Sequence, residues 1–114
     1  MGPSAFSRRR DMRLGAPRNL RVTIGAEKAK AVPHDISMGG LSILATAPIA
    51  LRTVHTVHLK FGSIEVVHKV RVQHCRRAQR GWFVGMAFVD KPLEASATIT
   101  RLFSAILESA ITFS

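Results

Sequence analysis

Between Asn19 and Val89 the apolar residues of this chain fall in short runs with alternating polar neighbours, and glycine- or proline-bearing turns separate the runs. Leu20, Val22 and Ile24 alternate with Arg21 and Thr23, the period-two pattern of a strand with one buried face. A turn near Gly25–Lys28 leads to a second strand over about residues 30–36. Pro33 removes a ladder donor there and predicts an edge position or a bulge. Met38-Gly39-Gly40 marks the next turn, and Leu41, Ile43 and Leu44 begin a third strand. Residues 53–61 and 64–74 are rich in β-formers and are joined by Gly62-Ser63, a hairpin connection. Residues 76–81 read as a turn and residues 82–89 as the returning strand. Six short strands at this spacing predict a small antiparallel barrel.

Past Pro92 the period changes. Ile99, Leu102, Phe103, Ile106, Ala110 and Ile111 recur at steps of three and four, with Arg101, Ser104, Glu108 and Ser109 between them. That is an amphipathic helix, placed over about residues 93–112. It most simply plugs an open end of the barrel; a docking surface for a partner is the other use of such a face. Ahead of the strands, residues 1–17 show no apolar periodicity and carry Gly2, Pro3, Gly15 and Pro17, so they read as a flexible arm. At 114 residues the chain holds one core: an arm over 1–17 and a barrel with its helix over 18–114.

Charge narrows the function. Lys and Arg total 17 against 7 acidic residues, a formal net charge of +10. Within residues 1–24, Arg8, Arg9, Arg10, Arg13, Arg18 and Arg21 face a single acid, Asp11. Such a field attracts phosphates, whether of a nucleotide, a nucleic acid or a membrane surface. No apolar stretch is long enough to span a membrane, and no apolar run follows the first arginines as in a signal peptide. With its single cysteine, Cys75, the chain reads as cytoplasmic, with no membrane insertion.

Two short motifs carry chemistry. Arg9-Arg10-Asp11-Met12-Arg13 is an R-x-x-x-R in the arm, preceded by Arg8. Asp35-Ile36-Ser37-Met38-Gly39-Gly40 is a D-x-S-x-x-G where a strand ends in a glycine turn. Residues 14–34 lie between them, enough for a strand and a return that bring the arm to the Asp35–Gly40 corner. The pair suits a guanine nucleotide. An arginine fork matches guanine O6 and N7, and a carboxylate such as Asp35 accepts from N1–H and N2–H. Asp35 and Ser37 are two apart on a strand and share a face; Gly40 permits positive φ and close approach of a ligand. Either motif alone is equally a solvated charged arm or an Asp/Ser turn.

Taken together, and leading into Gly40-Leu41-Ser42-Ile43, the two motifs resemble those of the PilZ domain family. Trp82-Phe83-Val84-Gly85-Met86-Ala87-Phe88 is similar to that family's last strand, and the resemblance covers roughly residues 8–111. It implies a six-stranded PilZ-type barrel with a C-terminal helix, binding cyclic di-GMP on its outer surface with the arm wrapped over the ligand. By motif, Arg9 and Arg13 would hold guanine edges and phosphates, Asp35 and Ser37 would read a base, and Gly40 would shape the turn. Arg8 would stack on or pair with a second ligand molecule. Arg10, Gly39 and Arg71, the last on a strand that often borders the family's site, are further candidates.

Other chemistries have little support. His55 and His58 fall on opposite faces of a strand, and His74 and Cys75 point apart. His68 and His74 share a face by simple alternation but lie roughly 20 Å apart at ~3.3 Å per residue. No metal site is expected, and no cofactor beyond the ligand. Trp82 reads as a core residue. No nucleophile, metalloprotease or phosphate-loop motif is present, so the chain reads as a non-enzymatic receptor with no catalytic residue. Its expected partners are cyclic di-GMP and a downstream protein. A small basic barrel binding nucleic acid is the alternative, disfavoured by the lack of Tyr and the placement of Trp82 and the Phe residues in apolar patterns. A ligand-free adaptor is a third.

Overall fold

The computed structural model describes residues 12–112. Its strands are β1 (Leu14–Gly15), β2 (Arg21–Ile24), β3 (Ala29–Ser37), β4 (Gly40–Ala45), β5 (Val54–Phe61), β6 (Ile64–Ala78) and β7 (Gly81–Phe88), followed by one helix, α1 (Leu93–Thr112). All pairings are antiparallel. The order runs β3-β2-β5-β6-β7-β4, and β4 pairs back onto β3, so six strands close into a barrel. Closure leaves no open edge in the ring.

β3 holds the closure together. Its first half pairs with β2 through Val22↔Ala31, its second half with β1 through Leu14↔Ile36 and Gly15↔Asp35, and its other edge with β4. The end of the basic arm is therefore strand: Leu14 and Gly15 are laddered onto β3, and the Ala16 amide donates to the His34 carbonyl at 3.0 Å.

Alternation directs one face of every strand inward. Val22, Ile36, Leu41, Ile43, Val57, Leu59, Val70, Val72, Val84 and Met86 form a continuous buried core. Each such side chain taken wholly out of water contributes about 1.5–3 kcal/mol before chain entropy is set against it. Helix α1 closes the core by laying Ile99, Leu102 and Ile106 against it, mainly over β6. Phe103 is buried beside them, whereas Ala110 and Ile111, which the periodicity assigns to the same face, are exposed in the last turn. No helix among the described residues is long and apolar enough to cross a membrane.

Two features depart from simple alternation. In β3 the register slips between Pro33 and Asp35, leaving His34 as an extra residue: this is the bulge foreshadowed by Pro33. In β6 it slips between Val72 and His74, leaving Gln73 extra. There Val72 exchanges backbone hydrogen bonds with Arg52 and Thr53, at 2.8 and 3.0 Å, in the loop before β5. The second bulge overturns the expectation that His68 and His74 share a face. His68 packs edge-on against the core ring of Phe88, while His74 stacks on Phe83 outside the barrel.

The β6–β7 turn is also tighter than residues 76–81. Strand pairing continues through Arg76↔Phe83 and Arg77↔Trp82 to Ala78↔Gly81, leaving Gln79 and Arg80 as the loop. The charges that resemble a turn in the sequence lie on a ladder. Each arginine covers the ring opposite it, Arg76 at 4.9 Å from the Phe83 centroid and Arg77 at 5.6 Å from that of Trp82. Trp82 is half-buried against the core beneath Arg77.

Candidate functional site

The two bulges define a patch on the outer wall. Because each adds one residue, Asp35 on β3 and His74 on β6 come to the outer face in register with the strands between them. One row across four strands reads Asp35, Ser42, Gly85, His74; the next reads Ser37, Gly40, Ala87, Arg71. The middle of both rows is nearly bare of side chains. The result is a trough floored by Gly40, Gly85 and Ala87, with polar groups at each end.

An open cavity of ≈ 290 Å³ lies in this trough, lined by Arg13, Ser37, Gly39, Gly40, Ser42, Gln73, His74, Gly85, Met86 and Ala87. Bare floors are a steric requirement. A Cβ on Gly40 would collide with the Met86 carbonyl oxygen and come within 3.0 Å of Ala87 Cα. On Gly85 the same position is taken by the His74 imidazole, whose Cδ2 lies 2.8 Å away. Gly40 is not in a left-handed conformation, so its role differs from the positive-φ turn expected of it: close approach of β7 is what excludes a side chain.

At the β3 end, β1 delivers Arg13 onto the strand. Its Nε and Nη2 both donate to Asp35 Oδ1, at 2.9 and 2.6 Å. Nη2 also reaches Ser42 Oγ at 3.2 Å and Nη1 reaches Ser37 Oγ at 3.5 Å. The other Asp35 oxygen, Oδ2, lies 3.1 Å from His34 Nδ1. Partial burial of Asp35 pushes its carboxyl up, but hydrogen bonds from Arg13 and His34, the Arg13 charge and a hydrogen bond from the Ser42 hydroxyl outweigh that. The carboxyl is held below its ordinary value. The Gly39 amide donates to Ser37 Oγ at 3.3 Å, and Lys91 Nζ holds the Met38 carbonyl at 3.2 Å, which fixes the turn beside the trough.

Of the residues singled out from sequence, Arg13, Asp35, Ser37, Gly39 and Gly40 come together here. Arg71 is exposed at the end of the second row, in register with Ala87 but outside the cavity lining. Arg8, Arg9 and Arg10 lie outside the described residues. Ser42, Gln73, His74 and Gly85 were not anticipated. Ser42 did carry a signal: it is the polar residue between Leu41 and Ile43 and had to face outward with Gly40. Among the described residues no group of three or more His, Cys, Asp or Glu is placed to hold a metal ion.

Comparison with known proteins gives a consistent picture. The model of the PilZ domain family matches residues 7–105. Among solved structures, YcgR from Escherichia coli in complex with c-di-GMP superposes with a TM-score of 0.73 at 13% identity, covering 89% of this chain and 46% of that one. The chain thus spans about half the length of full YcgR. The PilZ domain of YcgR with c-di-GMP, taken alone, gives a TM-score of 0.72 at 13% identity over 87% of this chain and 91% of that one. MrkH of K. pneumonia in its apo state gives 0.71 at 13% identity over 90% and 53%. No curated protein sequence matches the chain at a significant level.

Proposed function

Since the chain belongs to the PilZ domain family, we propose that it is a receptor for cyclic di-GMP that binds the ligand in the trough between Arg13 and His74. The carrying observation is that Arg13 and Ser37, one from each motif, line one open cavity, and that Asp35 is tied to its edge through Arg13. The chemistry suits guanine. Asp35 accepts from N1–H and N2–H, Arg13 offers its fork to O6 and N7 or to phosphate, and Ser37 adds a hydroxyl. YcgR with c-di-GMP supplies the precedent in a protein of the same fold.

In this reading Arg8, Arg9 and Arg10 follow the anchored Arg13 over the bound ligand and pair with its phosphates. Binding thereby orders the arm, and the new surface engages a downstream protein. The outputs that fit the family are motility, pili and exopolysaccharide control. No step of catalysis is assigned to the site.

The test is calorimetric titration of cyclic di-GMP into the purified protein, with GTP and cyclic di-AMP as controls. Selective binding of cyclic di-GMP at micromolar or tighter affinity supports the proposal, and its stoichiometry reports whether a second molecule is held beside Arg8. Absence of binding, or equal binding of all three nucleotides, overturns it.

A further inference from the structure

The β6 end of the trough has its own construction. His74 is brought outward by the Gln73 bulge, and its ring tip lies across β7 where Gly85 has no side chain. Phe83 stacks against it with the planes 16° apart and the centroids at 5.8 Å. Phe83 is in turn fixed by Arg76, at 4.9 Å over the ring, and by His34, edge-on at 5.1 Å. His74 is exposed, so this support serves no burial of the imidazole; it sets the orientation of a flat ring that borders the cavity. From Asp35 to the His74 backbone the row crosses three strand spacings, and the ring tip over Gly85 stands two spacings away, roughly 10 Å at ~4.8 Å each. A single base held by Asp35 does not cover that distance, whereas a ligand with two purines can address both ends.

We infer that His74 is the stacking surface for the second purine of a two-base ligand whose first purine is read by Asp35 and Arg13. This rests on the cyclic di-GMP reading and adds to it a residue outside both motifs. An imidazole pre-set by Phe83 and Arg76 loses little rotamer freedom when a base lies on it, and the π-face is indifferent to the base's hydrogen-bonding edge. Edge recognition therefore belongs to the Asp35 end and plane recognition to the His74 end.

Calorimetric titration of cyclic di-GMP into the intact chain and its His74→Ala, His74→Phe and Asp35→Ala variants separates the cases. Stacking predicts that His74→Ala weakens binding about 5- to 100-fold and that His74→Phe stays within about threefold of the original chain. If the unsubstituted chain does not bind, the receptor reading itself fails. If it binds and Asp35→Ala abolishes binding while His74→Ala changes nothing, the receptor stands and the stacking role is overturned. A His74→Phe variant as weak as His74→Ala also overturns stacking, since a hydrogen bond would then be what is lost. A second readout needs no variant. Saturation with cyclic di-GMP should move the His74 ring-proton resonances upfield through the ring current of the base, and unmoved resonances overturn the proposal.

Discussion

Arg13 places two of its N–H groups on one oxygen of Asp35, Oδ1, leaving the other oxygen to His34. The contact joins the R-x-x-x-R and D-x-S-x-x-G motifs directly, across residues 14–34. A guanine reaching Asp35 has to share this carboxylate with Arg13 or take its place. The same pair is thus both a piece of folded structure and a component of the proposed ligand site, and substitutions can tell these roles apart.

Arg13→Ala is expected to change stability by no more than about 1 kcal/mol, because the Arg13 side chain is 46% exposed and its ion pair is largely screened by water. Cyclic di-GMP affinity should nevertheless fall at least about tenfold with the charged fork removed. Urea unfolding and calorimetry on the same variant provide the comparison. A large loss of stability with affinity intact would make Arg13 structural.

Asp35 should titrate below the ordinary carboxyl value of about 3.9. A folded-state pKa depressed below the unfolded one means that Asp35 contributes stability above the unfolded value. That contribution is lost as pH falls through the folded one. The side-chain carboxyl carbon followed by NMR through an acid titration gives the midpoint, which should move upward in Arg13→Ala. A midpoint that stays where it was would remove Arg13 as a cause of the depression.

Neighbouring glycines should respond in opposite ways. Gly40→Ala forces a methyl into the Met86 carbonyl and is expected to destabilise the barrel by about 1–3 kcal/mol, as overpacking does. Gly39→Ala meets nothing nearer than Ser37 Oγ at 4.0 Å and should leave the denaturation midpoint nearly unchanged. Equal effects of the two would contradict the close approach of β7 to β4.

The helix is part of the core. Leu102→Ala should cost about 2–5 kcal/mol, because Leu102 is fully buried against the barrel. Leu93→Ala, at a position 87% exposed, should stay within about 0.5 kcal/mol. Thermal melts of both variants test whether α1 seals the core.

Much of this was legible in the sequence because alternation and turn chemistry act locally. Leu20, Val22 and Ile24 announce β2, Gly62-Ser63 announces the β5–β6 hairpin, and the change of period after Pro92 announces α1. What escaped depends on counting. A bulge inserts one residue without any composition mark, so period two carried past Gln73 puts His74 on the wrong side. Pro33 gave warning of the bulge at His34; Gln73 gave none. Arg76 and Arg77 were misplaced for a different reason. Their charges resemble a loop, and only the opposing rings of Phe83 and Trp82 show why a strand keeps them. In the site, the residues with distinctive spacing, Arg13, Asp35 and Ser37, could be named in advance. The bare floor at Gly85 could not, since a glycine's neighbour across a sheet is invisible from its own strand.

The ring of strands is complete without β1. β2 and β4 already close the barrel on β3, and the two residues Leu14 and Gly15 merely use the stretch of β3 that β2 leaves free. The arm is therefore a latch on a finished box rather than one of its walls. Letting it go would leave every wall of the box paired as before and would give up only the ladder to β3 and the packing of Leu14 and Ala16 on the core.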